Sequence, residues 1–199
     1  MNTRTPVGVG EPLEAERRRQ DALDIERYLA GEEAGFEALW NRYQPLAFAV
    51  ALARTGNRDD AMEATQKACI RIWNALPRFR RAEPFAPWLY RIVSNCAANL
   101  RRDERRHRGD VPLEFVPNPD GHPSALDEVA ARDQLEQIWR AIGALPPEQR
   151  EVLVLHHFRG LKYREIAELM GTPIGTVMSR LHNARLRLRS VLGVEEVGG

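Results

Sequence analysis

Two stretches of this sequence carry side chains suited to holding a nucleic acid rather than to making or breaking bonds. Between Leu169 and Val194 there is no Asp or Glu, and Thr176, Ser179, Arg180, His182, Asn183, Arg185, Arg187 and Arg189 share one side of a helical repeat. Hydroxyls, an amide and unopposed guanidiniums can bind phosphates and base edges in a DNA major groove. The second stretch, Trp88 to Arg106, sets Arg91, Asn95, Ala98, Arg102 and Arg105 opposite a broad apolar face of Trp88, Leu89, Ile92, Val93, Cys96, Ala97 and Leu100. It runs out in Arg101 to Arg108, five Arg against two acids. An amide among guanidiniums can hold a phosphate backbone and read a base edge. Taken alone, the same stripe also fits an ordinary solvated helix face.

The segment Arg78-Phe79-Arg80-Arg81-Ala82-Glu83-Pro84-Phe85-Ala86-Pro87-Trp88 interleaves aromatic rings with arginines. Rings beside basic residues stack on unpaired bases and wall the pockets that hold flipped ones. The competing role for these rings is to close the core beneath the loop. That role suits Trp88 best, and for Phe85 the two readings stay open. No constellation for catalysis accompanies them. His156, His157 and His182 lack an acid at metal-ligand spacing, and no Gly-rich phosphate loop is present. The reading is therefore of a protein that is not an enzyme and needs no metal or cofactor.

Helices must position these side chains. Leu161 to Met170, a turn at Gly171, and a second helix with Thr172 as N-cap and Pro173 in its first turn read as a helix-turn-helix. In that second helix Ile174, Val177, Leu181, Ala184, Leu188 and Val191 fall by threes and fours, which predicts one buried face. Upstream, Leu23 to Leu29 predicts a short helix stopped near Gly31, and Phe36 to Ala51 a longer one ending at Gly56. Asn57-Arg58-Asp59-Asp60 supplies a cap and first-turn acids for a helix that Pro77 closes. Helical pattern returns from Val129 to Ile142, breaks at Leu145-Pro146-Pro147, and resumes from Glu148 to Phe158.

The expected architecture is all-α: two small helical domains, 21–108 and 129–193, joined by an extended linker over 109–128. That linker has four prolines, five acids and no Lys or Arg between Asp110 and Glu128. Residues 1–20 read as a disordered tail and 194–199 as a second tail. A net charge of +1 over 199 residues excludes a uniformly basic coat, so DNA binding must rest on segregated charge. Cys69 and Cys96 stand far apart and read as buried thiols. No apolar run is long enough to span a membrane, and a cytoplasmic protein is expected.

The order of these parts resembles the extracytoplasmic-function (group 4) sigma factors of bacterial RNA polymerase, within the sigma-70 family, from about Asp21 to Leu192. The residues that carry the resemblance are Phe36-Glu37-Ala38-Leu39 with Tyr43, Asp60-Ala61 with Gln66, and Phe85 to Ile92 with Asn95. In the second half they are Leu145 to Arg150, Gly160 to Ala167, and Gly175 to Leu181 with Ala184-Arg185. The resemblance implies that Asp60, Glu63, Gln66, Lys67 and Ile70 dock on the clamp coiled coil of core polymerase. Lys67 carries the opposite charge to the usual residue there. It further implies that Phe79, Arg80, Phe85, Arg91, Asn95, Arg102 and Arg105 recognise and melt the −10 element. Thr176, Met178, Ser179, Arg180, His182, Asn183, Arg185 and Arg187 would then read the −35 element, Met178 standing where many relatives have Arg. Implied partners are core polymerase (clamp and flap), promoter DNA in duplex and single-stranded form, and an anti-sigma factor. The acidic linker would thread toward the polymerase active site, or act as a tether. The rival function is a stand-alone helix-turn-helix regulator that binds DNA without core polymerase; an interaction module is compatible with either.

Overall fold

A computed structural model describes residues 10–80, 82–108, 137–138 and 140–192, the side chains of 10–13 and 103–108 excepted. The expected linker 109–128, the helical pattern from 129 to 136, the first nine residues and the tail 194–199 lie outside the described residues. All regular elements among the described residues are helices. In chain order they are α1 (Gly10–Leu29), α2 (Glu33–Thr55), α3 (Arg58–Ala75) and α4 (Phe85–Arg108), then α5 (Pro147–His157), α6 (Tyr163–Met170) and α7 (Ile174–Leu192). A 3-10 turn, Leu76–Arg78, follows α3, and residues 140–143 are helical ahead of α5. No described helix is long and apolar enough to cross a membrane.

α1 starts at Gly10, well ahead of Asp21, so the second half of the expected tail is helical. Residues 15–20 are exposed, and Arg18 pairs with Glu14 at 2.8 Å across one turn. A helix charged on every side has no apolar stripe, so hydrophobic periodicity cannot reveal it. Where α1 turns inward, Ile25 is buried and α2 crosses very close. A Cβ on Gly35 would sit 2.4 Å from the Asp24 carbonyl and 2.6 Å from the Tyr28 nitrogen, so only glycine allows this approach. Buried Asp21 and Asp24 both accept from Arg42, and Tyr43 Oη donates to Asp21. Burial pushes the Asp21 carboxyl up, against the opposing pull of those Tyr43 and Arg42 hydrogen bonds.

The predicted punctuation holds at the next joint. Gly56 ends α2 in the left-handed region (φ 78°), and the Asn57 side chain accepts from the Asp60 amide at 2.9 Å to cap α3. α2, α3 and α4 then close a bundle around Leu39, Val50, Ile72, Leu76, Leu89 and Val93, none with measurable exposure. α5, α6 and α7 make a smaller body around Val152, Leu155, Ile166, Val177 and Leu181. The two halves are not separate bodies. α5 packs on α2 and α6 on α4, and one continuous apolar cluster runs from Ile25 to Ala184. The sequence led to two domains with only a linker between them; the packing gives them a shared interface.

Candidate nucleic-acid interface

α4 separates its faces as the spacing requires. Leu89, Val93, Cys96, Ala97 and Leu100 are buried, whereas Arg91, Asn95, Ala98 and Arg102 are exposed. Arg91 Nη2 donates to Glu83 Oε2 at 3.0 Å and Arg102 Nη2 to Asn99 Oδ1 at 2.8 Å. Both contacts are solvent-exposed and therefore weak enough to exchange for phosphate. Arg105 lies in α4, but its side chain is outside the described residues, as is Arg81. Cys96 is buried and Cys69 half-buried; burial pushes both thiols up, away from reactivity.

The loop ahead of α4 corrects one expectation. Phe85 is only 4% exposed, with its ring centroid 4.9 Å from Tyr43, 5.7 Å from Phe79 and 5.5 Å from Trp88. These tilted and edge-on pairs are the arrangement aromatic quadrupoles prefer, so Phe85 supports the loop from beneath instead of presenting a face to a base. Phe79 stays half-buried and Arg80 exposed, and these remain available at the rim. Between the halves lies a cleft of about 500 Å³, with Phe85 and Arg91 on one wall and Leu161, Glu165 and Leu169 on the other. The start of α4 thus faces α6 across a gap.

The helix-turn-helix forms at the expected place. Gly171 adopts φ 63°, and the Thr172 amide bonds back to Ala167 O at 3.0 Å. α7 buries Val177, Leu181 and Ala184, with Leu188 half-buried. Ile174 and Val191, expected on the same buried face, are 48% and 63% exposed, because the stripe runs past both ends of a body only three helices wide. Met178 (52%), Ser179, His182, Asn183, Arg185 and Arg187 are exposed, and Thr176 and Arg180 half-buried. Arg185 Nη2 meets His157 Nε2 at 3.4 Å, and burial, His156 and Arg185 together hold the His157 imidazole below its ordinary range.

On α3 the expected docking residues line one outer side. Gln66 and Ile70 are exposed, Ile70 at 63%, Glu63 pairs with Lys67 at 2.6 Å, and Asp60 is half-buried. Met62, 44% exposed, belongs to the same side and had not been singled out from the sequence.

Sequence reasoning also assigned no role to the polar cluster between the halves. Glu151, 1% exposed, accepts from Arg54 Nε at 2.9 Å and Nη2 at 3.1 Å, and Arg54 Nη2 also donates to Tyr90 Oη at 3.0 Å. Burial pushes the Glu151 carboxyl up while Arg54 pulls it back down. Arg150 is fully buried. It donates to Ala53 O through Nε, to Gly143 O at 2.8 Å and to Arg54 O at 3.3 Å. Ala53 and Arg54 lie in the last turn of α2, whose carbonyls and dipole favour a cation. Burial and nearby Arg101 push the Arg150 guanidinium down to about 10, still charged at neutral pH. Arg150 ends the Leu145 to Arg150 run already noted and Glu151 follows it, but nothing in spacing links that run to α2.

A four-helix half with an arginine and amide face, followed by a helix-turn-helix half, defines the class of sigma-70-type promoter-recognition proteins. Residues 39–107 match Sigma-70 region 2 and residues 135–188 match Sigma-70, region 4. The chain is 34% identical over 174 residues to the ECF RNA polymerase sigma-E factor of Escherichia coli (strain K12), covering 83% of this chain and 90% of that one. It is 32% identical over 176 residues to the RNA polymerase sigma-H factor of Pseudomonas aeruginosa, covering 84% and 91%. Among solved structures, CnrH in complex with the cytosolic domain of CnrY aligns with a TM-score of 0.60 at 27% identity, covering 90% and 98%. The sigma factor RpoE from Bartonella quintana, in complex with the anti-sigma factor NepR, shares the fold (TM-score 0.64, 24% identity, 81% and 98% covered). The chain belongs to the extracytoplasmic-function sigma factors of RNA polymerase. Members of this family are DNA-recognition subunits of the polymerase, not catalysts in their own right.

Proposed function

We propose that α4 and the loop before it open the −10 element while α7 lies in the major groove of the −35 element. The observation that carries this reading is a pair of exposed, arginine-bearing helix faces on one chain. One is Arg91, Asn95 and Arg102 on α4; the other is His182, Asn183, Arg185 and Arg187 on α7. Arg91, Arg102 and Arg105 hold the backbone of the unpaired strand, and the Asn95 amide contacts a base. Phe79 and Arg80 line the pocket rim, with Phe85 as its floor. Gln66 and Ile70, flanked by Asp60, Glu63, Lys67 and Met62, meet the polymerase clamp, and the second half meets the flap. The protein works in the cytoplasm, at the nucleoid. Two weak DNA sites gain affinity only when polymerase sets their spacing, and a net charge of +1 keeps the free chain from coating DNA.

The closed arrangement cannot serve both elements at once. Their names place them nominally about 25 base pairs, or roughly 85 Å, apart at ~3.4 Å per pair. A compact chain of 199 residues has a radius of gyration of ~16 Å and is roughly 40 Å across. Loading onto polymerase therefore pulls α5 off α2. The expected linker, 109 to 128, at ~3.3 Å per residue, can reach roughly 65 Å when drawn out, and the two halves add their own width. A protein inhibitor of the anti-sigma kind would bind the closed pair; the relative CnrH is found in complex with CnrY.

Run-off transcription with core polymerase across a promoter library tests the reading. Transcription should require core, this chain and both elements. DNA binding of equal strength with and without core would instead identify a stand-alone regulator.

A further inference from the structure

The outer side of α7 carries an apolar edge that neither the helical core nor the arginines explain. Ile174 and Met178, one turn apart, are 48% and 52% exposed in the first turns of the helix. Those N-terminal turns are the part of a recognition helix that reaches base edges. Two of the polar side chains near them make exposed contacts within the protein. Ser179 Oγ donates to the Thr176 carbonyl at 3.0 Å, and Arg185 Nη2 lies 3.4 Å from His157 Nε2.

We propose that Met178, with Ile174 beside it, reads thymine methyl groups in the −35 element. The proposal rests on α7 lying in the major groove. Guanine offers two acceptors there and adenine an acceptor and a donor; neither Ile nor the Met thioether can donate to an acceptor. The one apolar group in the groove is the C5-methyl of thymine. DNA is the occupant because Arg185, Arg187 and Arg189 share the helix and no acid occurs between Leu169 and Val194. An acidic backbone therefore meets positive charge, and no acid of α7, along the helix beyond the apolar edge.

Deoxyuridine differs from thymidine by that methyl alone. Holoenzyme assembled from core and the full chain is bound to a promoter whose −35 thymines are replaced one at a time by deoxyuridine. Loss of one buried methyl should weaken binding about fourfold at one or two adjacent positions. In Met178→Ala the same replacements should be neutral, and Met178→Arg should shift the preferred base there toward guanine by about tenfold. Both variants alter an exposed side chain and leave the core untouched. Uridine binding as well as thymine throughout, a methyl effect that survives in Met178→Ala, or an unchanged preference in Met178→Arg overturns the proposal. If purine-for-pyrimidine changes across the −35 element still abolish binding, the placement of α7 stands and only Met178's role fails. If those changes also have no effect, the placement itself fails.

Discussion

Arg54 and Glu151 stand 97 residues apart in the chain and meet in a two-pronged ion pair, with Glu151 1% exposed and Arg54 29%. The contact fastens the last turn of α2 to the second turn of α5, so it joins the region 2 half of the molecule to the region 4 half. Val154 packs on Ala49 and Ala53 beside it, and Arg150 donates to carbonyls of the same turn of α2. An ion pair in that setting holds register more than it adds stability, because desolvation offsets much of its attraction. The proposed opening of the molecule must break it.

Removing one partner of this pair strands the other. Glu151→Ala should weaken the contact between the halves by about 3–5 kcal/mol. Small-angle scattering should show a larger radius of gyration, and thermal unfolding should split into two transitions. Holoenzyme assembly should be no worse than with the unaltered chain, since the proposed opening breaks the pair. A scattering profile identical to that of the unaltered chain would mean the pair does not hold the halves together.

Arg150 has a different role, which a charge reversal would not isolate. Arg150→Met keeps most of the volume but leaves the Gly143 and Ala53 carbonyls without their donor, at about 1–3 kcal/mol for each buried group. Arg150→Lys should recover only part of the loss, because one ammonium cannot reach both sides of a fork. The melting temperature, compared with that of the exposed control Arg159→Met, reads the difference.

Asn95 is exposed, so Asn95→Ala should change stability by less than about 0.5 kcal/mol. It should lower permanganate reactivity of the −10 thymines in holoenzyme while core affinity stays unchanged. Intact melting in this variant would move the base contact elsewhere on α4.

On α3, Lys67 pairs with Glu63 on a half-exposed surface at 2.6 Å, a contact of little stabilising worth. Lys67→Glu should leave folding unchanged and raise affinity for core polymerase several-fold; Ile70→Asp should lower it. Fluorescence anisotropy of labelled protein titrated with core measures both. Equal affinities for all three chains would remove α3 from the docking surface.

His157 gives the fold a pH dependence of definite sign. Its imidazole is held below the ordinary range by burial, His156 and Arg185, so just below that range the unfolded chain binds more protons than the folded one. This contribution is present above the ordinary imidazole pKa and is lost as pH falls through the depressed one. Denaturant midpoints should therefore drop on mild acidification, and His157→Gln should flatten that drop. Glu151, whose carboxyl is raised, acts in the opposite sense nearer the carboxylate range, which makes the comparison with His157→Gln the informative one.

The helices were legible wherever an apolar stripe met turn chemistry. Gly56 with Asn57, and Gly171 ahead of α7, mark joints that local backbone geometry alone requires. Periodicity found the buried side of α4 because that helix lies on one continuous core. It placed Ile174 and Val191 inward because spacing cannot tell where a small body ends. It missed Gly10 to Gln20 because a helix charged all round has no stripe to read.

By itself the sequence determined the helical class, the order of the region 2 and region 4 halves and most of the buried face of each helix. Those follow from short-range spacing, which the chain carries along its length. Only the tertiary structure decided that Phe85 is a floor beneath the loop, that Met178 and Ile174 form an uncovered edge, and that Arg54, Arg150 and Glu151 fasten one half to the other. Such facts depend on which surfaces meet across nearly a hundred residues, and no local pattern encodes that meeting.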